Sequence, residues 1–168
     1  KATLTIEDTT NPSIDMMAED STVECDGMGN MTALNNWLDS NGGATASDAC
    51  GGVTWSNDFV ALSEDCGATG TATVIFTATD DCGNASTTTA TFTIEDTLMP
   101  ARNSVAEGST VDFDGMGNMT AKNNWLDSNG GATASAASGA VTWSNDFAAF
   151  GGASRPTRTA TRLFPAPH

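Results

Sequence analysis

Apolar and polar positions alternate in two long stretches of the chain. In Thr71 to Thr79 (TATVIFTAT), Ala72, Val74, Phe76 and Ala78 share one face. In Thr87 to Glu95 (TTTATFTIE), Ala90, Phe92 and Ile94 do the same. A period of two predicts strands with one buried face, and branched Thr, Val and Ile pack well on a pleat. The join Asp80-Asp81-Cys82-Gly83-Asn84 is rich in turn formers, so the two strands read as a hairpin. Val53 to Asn57 and Ser21 to Cys25 are shorter strand candidates. The period changes in Asn30 to Ser40 (NMTALNNWLDS), where Leu34, Trp37 and Leu38 fall at i, i+3 and i+4. That spacing predicts a helix, with Asn30 or Thr32 able to cap its start and Asn41-Gly42-Gly43 ending it. The elements add up to an all-β unit, a small β-sandwich with one short inserted helix.

The pattern occurs twice. The run CDGMGNMTALNNWLDSNGGATASDACGGVTWSNDF (Cys25 to Phe59) returns as FDGMGNMTAKNNWLDSNGGATASAASGAVTWSNDF (Phe113 to Phe147), an offset of 88 residues without a gap. The same offset aligns ATLTIEDT (Ala2 to Thr9) with ATFTIEDT (Ala90 to Thr97), and TATVIFTATD (Thr71 to Asp80) with TATRLFPAPH (Thr159 to His168). Residues 1–8 are therefore expected to be the closing strand of a preceding repeat, or a strand donated to a neighbouring subunit. Residues 9–96 form one complete repeat, and residues 97–168 a second that lacks its last strand. The chain has no initiator Met and no signal peptide, and reads as a processed product or a window from a longer array.

Charge narrows the field of partners. Of 168 residues, 21 are acidic and 6 basic, for a formal net charge of −15. Sixteen acids and one Lys lie between Lys1 and Asp96, against five acids and five bases afterwards. Such a surface repels nucleic acid and anionic membranes. No apolar run approaches the roughly 20 residues of a membrane helix. The one His is His168 and there is no Tyr, so no His is placed to activate the abundant Ser and Thr. Neighbouring carboxylates lack the opposed geometry of a glycosidase. No enzyme is expected.

TVIFTATDDCGNASTTTATFTIEDT (Thr73 to Thr97), followed by the acidic-Thr-Pro linker read at Thr9 to Ile14, resembles HYR-like and related immunoglobulin-like repeats. Joined with WLDSNGGATASDACGGVTWSND (Trp37 to Asp58), it is similar to repeats in very large secreted surface proteins of Bacteroidota. The likeness covers nearly the whole chain. It implies tandem immunoglobulin-like sandwiches and an extracellular, cell-surface location. It also implies a structural role in a fibre or giant adhesin that attaches to cells or surfaces and assembles with itself head to tail or side by side. The alternative is a secreted module binding glycans or another ligand, including cell-surface glycans, through an exposed Trp37. The second repeat departs from the pattern: Cys25, Cys50 and Cys66 become Phe113, Ser138 and Ser154, and Pro165 and Pro167 fall in its last strand.

Several side chains are candidates for chemistry within this frame. Four cysteines (Cys25, Cys50, Cys66, Cys82) in one exported repeat read as two disulfides with three connectivities. Cys66 and Cys82 bracket a strand of about 33 Å, which disfavours that pair. The resemblance implies Cys25–Cys82 across the sandwich, leaving Cys50–Cys66. Zinc is not expected, since there is no CxxC and no His among them. Glu7, Asp8, Asp26, Asp80, Asp81, Glu95 and Asp96 fall in loops and linkers where they are candidate Ca²⁺ ligands at a joint between repeats. The competing reading is a solvated acidic surface. The resemblance further implies O-glycosylation at Thr9, Ser21 and Thr97, each after an Asp. Trp55 and Trp143 are expected in a buried middle strand, with Trp37 and Trp125 pinning the helix to a sheet.

Overall fold

The computed structural model describes residues 1–148. The chain divides into a first unit, Lys1–Thr97, and a second that begins at Leu98. The first is β-rich, and among the described residues each unit carries one short α-helix.

The first unit is built from β1 (Ser13–Met16), β2 (Ser21–Glu24), α1 (Met31–Asp39), β3 (Thr45–Ser47), β4 (Val53–Asn57), β5 (Gly70–Asp80) and β6 (Ala85–Glu95). β5 and β6 form the expected hairpin, in continuous antiparallel register from Gly70↔Ile94 to Thr79↔Ala85. β4 joins the outside of β5, and β2 joins the outside of β6 in parallel, giving a four-stranded sheet of order β2-β6-β5-β4. β1 and β3 pair separately and antiparallel.

One face of that sheet is the core. Ala72, Val74 and Phe76 of β5 and Ala90, Phe92 and Ile94 of β6 are buried together with Leu34 and Trp37 of α1 and Cys25. Phe76, Phe92, Leu34, Ile94 and Val74 are the largest wholly buried side chains. Each contributes roughly 1.5–3 kcal/mol by leaving water. The opposite face carries Thr71, Thr73 and Ile75 into solvent, and Thr73 and Thr91 hydroxyls meet across the strands at 3.1 Å.

The expected sandwich takes a different form. The layer over the core face is helix α1, and the second sheet is only the short β1–β3 pair. The roles of the tryptophans change accordingly. Trp55 lies in β4, at the edge of the sheet, and is half-buried. Trp37 takes the central place. Its ring meets Phe76 edge-on at 5.2 Å and Phe92 at 5.4 Å, and its indole N–H donates to the Glu19 carbonyl at 3.0 Å. Asn30 does stand at the head of α1, but it makes no side-chain cap there. Its side chain instead accepts from Asp26 N–H and donates to the Glu24 carbonyl.

The second unit repeats part of this plan at the same offset. β7 (Ala101–Ser104), α2 (Met119–Asp127) and β8 (Thr133–Ser135) are the counterparts of β1, α1 and β3. Trp125 N–H donates to Glu107 O at 2.8 Å, as Trp37 does to Glu19. Residues 109–112 and 141–145, the counterparts of β2 and β4, join no strand. β2 and β4 are held by β6 and β5. The counterpart of β5, with the substitutions around Pro165 and Pro167, lies outside the described residues, and that of β6 falls beyond residue 168. α2 buries none of its side chains. Trp143, expected in a buried middle strand, is likewise half-buried and in no strand.

Candidate functional site: the two ends of the sheet

Charged and sulfur-bearing side chains of the first unit gather at the two ends of β6. At the hairpin end, Asp80, Asp81, Cys82 and Asn84 form the turn. Asn84 Nδ2 donates to Asp80 Oδ2 at 2.8 Å and to the Asp8 carbonyl at 3.2 Å, which fixes the incoming chain beside the hairpin. Asp8, Asp48 and Cys50 offer two carboxylates and a thiol within 4.8 Å of one another. Gly52 N–H donates to Asp81 Oδ2 at 3.0 Å, tying the approach to β4 onto the same turn.

At the far end, Cys25 N–H donates to Glu95 O at 2.8 Å. Thr97 donates its N–H to Glu24 Oε1 at 2.9 Å and its hydroxyl to Glu24 Oε2 at 2.8 Å, which fixes the outgoing chain. Cys66 belongs to this end too. Its carbonyl accepts from Thr69, one residue before β5 begins beside Ile94.

A single five-residue loop, Asp-X-X-Gly-Asn, organises both ends and recurs in the second unit. Asp26 Oδ1 accepts from Met28 N–H at 2.7 Å and Asn30 N–H at 3.1 Å. Asp80 Oδ1 accepts from Cys82 at 2.9 Å and Asn84 at 2.8 Å, and Asp114 Oδ1 from Met116 at 2.8 Å and Asn118 at 2.9 Å. Glycines 29, 83 and 117 sit at φ +86°, +92° and +94° with open space around them. The backbone angle alone therefore demands glycine there. These bonds favour the ionised acid. Backbone amides at Met28 and Asn30 hold Asp26 below the usual carboxylate range, those at Asn118 and Met116 do so for Asp114, and the Asn84 side chain leads for Asp80.

Within the first unit the candidate Ca²⁺ ligands do not converge. Asp8, Asp80 and Asp81 lie at the hairpin end, while Asp26, Glu95 and Asp96 lie at the other, separated by the eleven residues of β6, about 33 Å of strand. Glu7 is exposed, next to Asp8. Asp26 and Asp80 spend oxygens on their own loops. Asp8, Asp48 and Cys50 supply two carboxylates and a soft thiol, a poor match for a cation that takes six to eight oxygens. Asp48 and Glu24 carry no signal in the sequence, whereas Asn84, read there as a turn former, is also marked by the repeated Asp-X-X-Gly-Asn spacing.

No disulfide joins the four cysteines, and the expected pairs are corrected by topology. Cys25 stands beside Glu95 and Cys82 just before Ala85, at opposite ends of β6. Cys50 precedes Val53, which pairs with Asp80, whereas Cys66 precedes Gly70, at opposite ends of β5. Both pairs exceed by far the roughly 7 Å that a disulfide spans.

Of the expected glycan positions, Thr9 is exposed in the incoming segment, Ser21 is half-buried opposite Phe92, and the Thr97 hydroxyl is bonded to Glu24. Trp37 is buried, so its ring is closed to a ligand. No helix among the described residues is long and apolar enough to cross a membrane. A scan against protein-family models finds no match, and a search of the curated proteins finds none either.

Proposed function

We propose that the chain is a tandem immunoglobulin-like repeat of an extracellular bacterial fibre or giant surface adhesin, with a mechanical rather than catalytic role. One observation carries the reading: the chain comes into the first unit at one end of β6 and leaves at the other. Asp8 is held by Asn84, Ala18 N–H by the Thr88 hydroxyl, Thr91 N–H by Asp20, and Ser21 to Glu24 pair with Phe92 to Glu95. Residues 8–24 thus run along β6 in its own direction for its full length. A unit that takes the chain in at one end and releases it at the other can be strung head to tail, with tension parallel to its strands.

The incoming segment supports the same reading. Ala2–Thr9 carries the pattern of the closing strand, yet Leu4 and Ile6 are 87% and 90% exposed, while their counterparts Phe92 and Ile94 are 1% and 2% exposed. Its role is to close a repeat other than the first unit, in the preceding stretch of an array or in a neighbouring subunit. The acidic surface keeps such an array soluble and blocks lateral collapse.

Electron microscopy of the native material, with and without EDTA and reductant, tests the proposal. Filaments with a regular axial period of at least ~33 Å, the length of β6, are expected. Isolated globular particles under all conditions would overturn it.

A further inference from the structure

We infer that Cys50 and Cys82 are redox partners that close into a disulfide stapling β4 to the β5–β6 hairpin. The inference stands apart from the fibre reading. β4 and β5 are antiparallel with Val53 opposite Asp80. Cys50 lies three residues before that pair and Cys82 two residues after it, so both chains carry a cysteine out of the same end of the sheet.

The intervening residues hold the two chains together. Gly52 N–H donates to Asp81 Oδ2, and a Cβ placed on Gly51 would lie 2.8 Å from the same oxygen. Both thiols lie in one acidic environment. Asp8 is the foremost charge raising the Cys50 thiol and also bonds to it. Burial and then Asp8 raise the Cys82 thiol, and Cys50 itself is among the charges acting on it. Both side chains are exposed, so a small oxidant reaches them. Gly51-Gly52 on one side and Gly83 on the other give the backbone room to reach disulfide geometry. Cys25 and Cys66 are at the far end of the sheet and do not compete.

The step balances with a small-molecule disulfide such as oxidised glutathione. One protein thiolate attacks a sulfur of the reagent and expels a glutathione thiolate. The second protein thiolate attacks the mixed disulfide and expels the other. The protein loses two protons and two electrons, and one reagent molecule becomes two thiols. Because the neighbouring carboxylates disfavour the thiolates, closure is slow at neutral pH and accelerates as pH rises.

The test oxidises the whole chain with glutathione disulfide, blocks remaining thiols, and digests at acidic residues without reduction for mass spectrometry. A peptide joining Cys50 to Cys82, two hydrogens lighter than its halves, is expected. It should persist in a Cys25→Ser/Cys66→Ser double variant and vanish in Cys50→Ser. Closing the loop between them should raise Tm by on the order of 10 °C over the reduced chain. Recovery of Cys50 bound to Cys66, or of Cys50 and Cys82 both still open to alkylation, would overturn the inference.

Discussion

Asp80 illustrates how much one side chain does in this protein. It is 6% exposed, yet its carboxylate is met by two backbone amides and the Asn84 amide. A folded-state pKa held below the ordinary Asp value of about 3.9 means that this carboxylate stabilises the fold above that pH, and that the contribution is lost as pH falls through the lowered folded value. Asp80→Asn should therefore lower the thermal midpoint at pH 7, and the gap between variant and parent should close in acid below about pH 4. A gap that is constant with pH would show that the ionised form does not matter. Trp37 matters through packing. Trp37→Ala removes contacts with Phe76 and Phe92 and strands the Glu19 carbonyl, for a loss of about 3–5 kcal/mol in chemical denaturation. Trp55→Ala, at the sheet edge, should cost less. At this scale the sequence was read well for alternation and poorly for partners. Apolar period gives the buried face of a strand but not its place in the sheet, which is why Trp55 was expected at the centre that Trp37 fills. For Asp26 and Asp80, composition does not show that neighbouring backbone amides already bond one carboxylate oxygen.

Among the elements, β6 organises the first unit. It pairs antiparallel with β5 and parallel with β2, and the loop before β2 is bonded along it. The hairpin was legible because its strands are neighbours in sequence with a turn between them. The β2–β6 pair was not, since a parallel partner separated by the whole unit leaves no local trace. The helix was legible from its spacing, but its role as the cover of the core was not, because spacing says nothing about what lies opposite. Pulling the two ends of the unit loads the β2–β6 ladder in shear, so its hydrogen bonds resist together rather than one after another. Cys25 N–H faces β6, and by alternation so does that of Val23. Val23→Pro removes that bond and should lower the unfolding force in single-molecule pulling, while equilibrium stability falls by about 1 kcal/mol for the bond and further for the lost packing of Val23 on the core. An unchanged force would place the mechanical resistance elsewhere. Deleting residues 1–6 should leave the melting of the first unit within about 2 °C, because Leu4 and Ile6 lie outside its core.

For the molecule as a whole, the 88-residue offset is the feature that sequence showed most plainly, and the structure follows it element by element where the sheet is not required. β7, α2 and β8 adopt their counterparts' ranges, down to the left-handed Asn118 and Asn129 that match Asn30 and Asn41. Local sequence therefore specifies the helix, its flanking turns and the short β pair. Closure over a core needs the hairpin as well. Val111 and Phe113 stand 51% and 63% exposed where Val23 packs against the first unit's core and Cys25 lies buried within it. In a chain in which the β5–β6 hairpin sequence follows residue 157, Val111 and Phe113 should be buried and Trp143 protected from acrylamide quenching. Quenching that stays unchanged would mean that its substitutions, Phe113 and Ser138 among them, have cost the second unit the ability to complete the fold.

The parallel pairing of β2 with β6 also sets a clock. The strand that receives the first quarter of the unit is the last of its strands to be synthesised, so the sheet and the core cannot close until residue 95 has left the ribosome. The helix and the short β pair can form early, but the core of a nascent unit stays open through most of its own translation and closes in one late step.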